Sequence, residues 1–216
     1  MRELVLQMGV SIDGYVATTD GSHDWGYHGE DPATTKWKLA SLWGAGAHLM
    51  GRQTYEDMAA VWPKSSSDVA AAMNEIPKVV FSKTLDRAEW PESRIAAGEL
   101  ADEIARLRAE EGGYLLAHGG ARFAQALSRE RLVDEYRLVI HPAALGDAAA
   151  GAALRGHADR GRGPGRPLGP AGRRRRAVLQ GVAGPRPPAG GRCGARRPWS
   201  SCARRPARAR AGSEDP

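Results

Sequence analysis

Three short stretches of this 216-residue chain set a cation and a hydroxyl or glycine where a strand pattern gives way to a turn. Gly51-Arg52-Gln53-Thr54 runs from an apolar strand into a helix. Glycine lets an anionic ligand approach the backbone, and a helix start offers free N–H groups and partial positive charge. Arg52 adds a permanent cation and Thr54 a hydroxyl. Phe81-Ser82-Lys83-Thr84 closes a second strand with two hydroxyls around a lysine, a cradle suited to the 2′-phosphate of NADPH. His118-Gly119-Gly120-Ala121-Arg122 is again strand, double glycine and helix, a backbone able to pass close to a pyrophosphate. Taken singly, the first reads equally well as structure alone, and the other two read better so. Thr54 would cap a helix, Ser82–Thr84 would be a solvated strand end, and His118 would face the core. In this order and in one domain, the three converge on a dinucleotide.

No Gly-x-Gly-x-x-Gly follows the first strand, so this is not the doubly wound dinucleotide fingerprint. The first strand ends instead in Ser11-Ile12-Asp13-Gly14-Tyr15. Asp13 is the acid best placed to orient a substrate amine or hydroxyl, or to relay a proton. It reads also as a turn aspartate capping its own backbone beside Gly14. His23 and His28 sit in a loop without further ligands, which describes solvated residues rather than a metal site.

The elements that must hold these groups alternate. Strand patterns run over Leu4–Ile12, Ala47–Met50, Lys78–Ser82, Tyr114–His118 and Leu132–His141. Helix patterns run from Pro32 to about Trp43, and over Thr54–Trp62, Glu99–Arg108 and Ala121–Leu127. Alternation of this kind predicts a largely parallel sheet covered by helices, with ligands beyond the carboxyl ends of the strands. Trp37, Trp43 and Trp62 are expected in the core.

The chain changes character at Gly146-Asp147. Residues 147–216 are nearly all Arg, Ala, Gly and Pro, and 16 arginines face only Asp147, Asp159, Glu214 and Asp215. The whole chain carries +6, so residues 1–146 are mildly acidic and have no general attraction to nucleic acid; any such affinity belongs to the tail and its Arg173–Arg176 run. Few large apolar residues remain there, so disorder is expected. Cys193 and Cys202 have no partners at zinc-ligand spacing and make no disulfide framework, and the cysteine-free front fits a reducing cytoplasm. No run approaches the length of a transmembrane helix.

Ser11–Tyr15, Gly51-Arg52-Gln53-Thr54-Tyr55-Glu56, Phe81–Leu85, His118–Arg122, Val133–Leu138 and His141-Pro142 resemble the dihydrofolate-reductase-like superfamily. The closer likeness is to its branch similar to the reductase domain of the bifunctional riboflavin-biosynthesis deaminase/reductase. The resemblance covers residues 1–146. It implies a three-layer α/β/α fold around a mixed, mostly parallel sheet. It also implies NADPH as hydride donor to a small heterocyclic C=O or C=N substrate, as in 5-amino-6-(5-phosphoribosylamino)uracil reductases. By position, Gly51, Arg52 and Thr54 would hold phosphate. Ser82, Lys83 and Thr84 would meet the adenosine end, and Gly119, Gly120, Ala121 and Arg122 would cover the pyrophosphate. Asp13 would face the substrate near the nicotinamide, and Trp25 would form part of the pocket wall. Dihydrofolate reductases carry an acid on the helix after the first loop. Thr34–Ala40 has none, which disfavours folate. A homodimer in the cytoplasm is the expected state.

Past Leu145-Gly146 such chains continue into a final pair of strands, whereas this one loses whole classes of residue at one point. That pattern suggests a shifted reading frame in GC-rich DNA and a sheet edge left unpaired. The alternatives in function are an inactive or non-catalytic dinucleotide-binding remnant, and a tail-driven binder of nucleic acid or acidic surfaces.

Overall fold

The computed structural model of the chain describes residues 1–26, 31–146, 149–152 and 176–181. Its strands are β1 (Leu4–Ser11), β2 (Tyr15–Thr18), β3 (Ala45–Gly51), β4 (Lys78–Phe81), β5 (Ser93–Ile95), β6 (Tyr114–His118), β7 (Glu135–His141), β8 (Ala149–Ala152) and β9 (Arg176–Gly181). The α-helices are α1 (Pro32–Trp43), α2 (Arg52–Val61), α3 (Asp68–Glu75), α4 (Leu100–Ala109) and α5 (Ala121–Arg129).

Seven strands form one sheet in the order β5-β4-β3-β6-β1-β7-β9, and every pair in it is parallel. Antiparallel pairing is confined to a separate ribbon of β2 and β8. β1 is apolar almost throughout because both its faces are covered. Leu4, Leu6 and Met8 pack with Leu49, Ile104, Phe123 and Leu127 toward α4 and α5. Val5 on the other face packs with Leu42, Met50, Tyr55, Met73 and Trp90, under α1 and α3. The three-layer α/β/α architecture expected from the sequence is therefore present.

β2, β5 and α3 were not foreseen. β2 and β5 are too short to show a period, and α3 carries its apolar contacts on Ala70, Ala72 and Met73. The end of α3 is closed by an unusual device. Lys78 is fully buried, and its ammonium donates to the carbonyls of Met73, Asn74 and Ile76 at 2.9 Å each. These are the orphan acceptors of a helix end, met here by one charge. Burial pulls its pKa down to about 8. The same ammonium lies 4.7 Å from the ring centre of Trp90, the buried tryptophan of this side. Trp43, expected in the core, is instead 47% exposed, because it sits at the last turn of α1 with the chain leaving into β3.

The outer edge of β7 was expected to lie open. Arg176–Gly181 pairs along it in parallel, from Glu135↔Arg176 to Ile140↔Gly181. Ala177-Val178-Leu179 is a short apolar run in a tail poor in them, and Arg176 anchors it through Glu3 at 3.0 Å and Glu135 at 3.5 Å. The strand nevertheless leaves Val178 and Leu179 exposed, so it satisfies backbone groups without adding to the core. Apart from β8 and β9, the tail expected to be disordered lies outside the described residues, as do His28, both cysteines and Arg173–Arg175. Among the described residues no helix is long and apolar enough to cross a membrane, and no group of three His, Cys, Asp or Glu side chains is placed to hold a metal.

Candidate functional site

β3 and β6 are neighbours whose continuations leave in opposite directions. From β3 the chain crosses through α2 and α3 to β4 on one side; from β6 it crosses through α5 to β7 on the other. Such a divergence opens a crevice at the carboxyl ends of the two strands, where open α/β sheets bind ligands. Gly51 ends β3 and Gly119-Gly120 follow β6, so two of the three sequence-predicted turns line this crevice. The third follows β4, the next strand over.

The turns touch. Arg52 Nη1 donates to Thr84 Oγ1 at 2.8 Å, joining the first to the second. A Cβ on Gly120 would come to 2.8 Å of Thr54 Oγ1, joining the first to the third. A Cβ on Gly119 would meet Met8 of β1 at 2.7 Å. Neither glycine has positive φ, so the pair answers a need for close packing rather than for a left-handed backbone. α2 and α5 start at Gly51 and Gly120 with no side-chain cap and no acid in the first turn. α3 and α4 carry acids there, and Asp31 caps α1 with its own carboxylate. Anion-seeking N–H groups are thus left open where the two glycine turns meet.

Around them stand the cations. Arg52 is exposed and tied to Glu56 at 2.7 Å, which fixes its fork beside Thr84. Lys83 is exposed and only 3.5 Å from Glu99, a surface pair worth about 0–1 kcal/mol that a phosphate would readily displace. Ser82 Oγ accepts from the backbone N–H of Thr84 and Leu85, so it shapes its own turn and keeps its O–H to give. Ala121 opens α5, and Arg122 is exposed on its first turn.

Asp13 lies at the carboxyl end of β1, in a turn closed by Gly14 at φ +85°. Its carboxylate accepts from Ser11 Oγ at 2.5 Å, from Leu145 N at 3.0 Å and from Gly146 N at 2.9 Å. The Ser11 hydroxyl, then the Gly146 and Leu145 amides, hold its pKa down to about 2. Asp13 is therefore ionised at neutral pH and docks the segment after β7; it has no proton to give. Trp25 sits in the 3₁₀ turn Asp24–Gly26, edge-on to His141 at 5.6 Å between ring centres. His141 ends β7 opposite Ser11 and is buried. Sequence reading used His141 only as part of a motif. The signal for it was a histidine at the carboxyl end of a central strand.

Behind the crevice lies a second feature missed from sequence. His48 of β3 and His118 of β6 share a hydrogen bond, Nδ1 to Nε2, at 2.7 Å, and both are buried. Burial first, then the His118 and Lys78 charges, push His48 down to about 2, and burial pushes His118 down to about 4. Both rings are neutral at pH 7, one donating and one accepting. The pair bridges β3 and β6 one residue before Gly119. A separate cavity of about 340 Å³ opens at the other end of the sheet, among Trp37, Ser41, Tyr114, Glu135, Arg137 and Val178. There Arg137 donates to Ser41, Tyr114 and Glu135, a network complete in itself.

A parallel α/β/α sheet with this crevice defines an open α/β protein of the ligand-binding kind. Residues 2–160 match the RibD C-terminal domain, and the chain belongs to that family, a reductase-like one. Similar proteins include the uncharacterized proteins YyaP and YwjB of Bacillus subtilis. YyaP is 25% identical over 151 residues, covering 68% of this chain and 78% of its own. YwjB is 26% identical over 147 residues, covering 67% and 79%. A riboflavin biosynthesis protein from Shewanella sp. PV-4 shares the fold at a TM-score of 0.55, with 24% identity over 69% of this chain and 81% of its own.

Proposed function

We propose that this protein is an NADPH-dependent reductase that passes a hydride to a small heterocyclic C=O or C=N compound. The observation that carries the reading is the contact of three separate turns at one crevice, where two open helix starts meet Arg52 and Lys83. These residues fit a dinucleotide: Gly51, Thr54, Gly120, Ala121 and Arg122 would hold its pyrophosphate, and Arg52, Ser82, Lys83 and Thr84 its adenosine phosphate. The bound dinucleotide would supply the hydride. The protein's share is to hold the donor end in the crevice and exclude water around the acceptor. Asp13, as an anion, would fix the pocket wall at Leu145 and Gly146 and orient a substrate N–H or O–H.

Titration with NADPH, followed by tryptophan fluorescence, tests this. Arg52→Ala removes a charge-assisted contact worth about 1.5–3 kcal/mol and should weaken binding roughly 10- to 100-fold. Lys83→Ala should narrow the preference for NADPH over NADH. Absence of saturable binding, or two variants that bind as wild type does, would end the reading.

A further inference from the structure

A second set of groups lies beside the crevice, at the carboxyl ends of β1 and β7. Gly9 is solvent-exposed although β1 runs between β6 and β7 inside the sheet. A Cβ there would come to 3.0 Å of His141 Nε2, so the imidazole lies where a side chain of β1 would stand. A Cβ on Gly26 would reach the same ring at 3.8 Å. Two glycines thus make room for one histidine, and solvent reaches the strand beside its Nε2. The indole of Trp25 stands at 88° to that ring, and its Nε1 is buried with no hydrogen-bond acceptor among the described residues. An orphaned buried N–H is an unfavourable state that an acceptor on a ligand would relieve. Asp13, the acid singled out from the sequence, is already committed to Ser11, Leu145 and Gly146.

We propose that His141 and Trp25 meet the reducible group of the substrate, and that His141 is its proton donor. This rests on the reductase reading above. The Trp25 N–H and the His141 imidazole hydrogen-bond the oxygen or nitrogen of a planar C=O or C=N. Hydride from the reduced nicotinamide dinucleotide adds to carbon, and the π pair moves to the heteroatom. That atom takes a proton from Nε2, which draws one from the solvent that reaches the strand at Gly9, so the ring is neutral before and after the step. Histidine suits this role because its ring nitrogens can each donate or accept a proton. The substrate class that fits is a flat heterocycle presenting one acceptor atom to two donors.

Resonances of the Trp25 indole N–H and the His141 Cε1–H report on the site, assigned with Trp25→Phe and His141→Gln. NADP⁺ should move both, while 2′,5′-ADP, which shares the adenosine end and lacks nicotinamide, should bind and move neither. His141→Gln should keep NADPH affinity within two-fold and lower kcat at least ten-fold with camphorquinone and phenanthrenequinone, with KM changed little. NADP⁺ binding that leaves both resonances in place overturns the proposal and spares the reductase reading. So does a His141→Gln enzyme that keeps its kcat, or a wild type that binds NADP⁺ and reduces neither quinone. If neither NADP⁺ nor 2′,5′-ADP binds, both readings fall together.

Discussion

Acid should strip stability from this protein through the His48–His118 pair well before any carboxylate titrates. In the unfolded chain both histidines take up protons near pH 6.5. In the folded chain they resist, down to about 4 for His118 and about 2 for His48, because burial disfavours the charge on both and the His118 and Lys78 charges add to it at His48. A folded pKa below the unfolded one means the unfolded state binds more protons. Stability is therefore complete above pH 6.5 and falls as pH drops through the window from 6.5 to about 4, continuing toward 2 for His48. Each histidine loses about 1.4 kcal/mol per pH unit in that window. Going from pH 7 to pH 5 thus removes about 2 kcal/mol per ring and about 4 kcal/mol for the pair. That is a large share of the roughly 5–15 kcal/mol that holds a domain together. Urea unfolding at pH 7, 6 and 5, followed by the fluorescence of buried Trp90, measures it. His48→Gln keeps a hydrogen-bonding partner for His118 and removes one titrating group, so it should halve the loss. The reasoning fails if wild type and His48→Gln lose the same stability over this range, or if the His118 ring titrates near 6.5 by NMR.

Other consequences are direct. Gly120→Ala should weaken dinucleotide binding and cost about 1–3 kcal/mol of stability, since the new methyl meets Thr54 Oγ1 at 2.8 Å; adding Thr54→Ala should restore most of the stability but not the binding, measured by calorimetry and titration. Asp13→Asn should speed hydrogen exchange at the Leu145 and Gly146 amides, and in wild type the same release should occur as pH falls from about 4 toward 2, because the depressed carboxylate binds those amides only when ionised. Lys78→Met should destabilise the fold by at least about 1–3 kcal/mol in urea, leaving the carbonyls of Met73, Asn74 and Ile76 without their donor.

Much of the crevice was legible because its parts are local. A glycine between a strand and a helix, with a cation one residue on, has the same meaning wherever the chain places it, and Gly51-Arg52 and Gly119-Gly120 could be picked out without coordinates. The strand Tyr114–His118 and the helix from Pro32 to Trp43 were readable for the same reason, since period and capping are short-range. What could not be read depends on partners distant in sequence. Asp13 looked like an acid with a proton to move. Residues 145 and 146, more than 130 positions away, engage its carboxylate as an anchor. His48 and His118 are each ordinary strand histidines until β3 and β6 lie side by side. β9 was hidden because its composition argues against folding, and only the open edge of β7 recruits it.

The amino-acid sequence by itself decided the alternation of strands and helices, and with it a parallel α/β sheet carrying glycine turns at its carboxyl edge. It also marked the place where ordinary composition stops. Tertiary structure alone decided that the three turns share one crevice, that Asp13 holds the Leu145 and Gly146 amides, and that His141 lies under Trp25 against a bare strand. The physical reason is range: propensity and periodicity act over a few residues, whereas contact, burial and the resulting proton affinities are set by strand order, which brings distant segments within hydrogen-bonding distance.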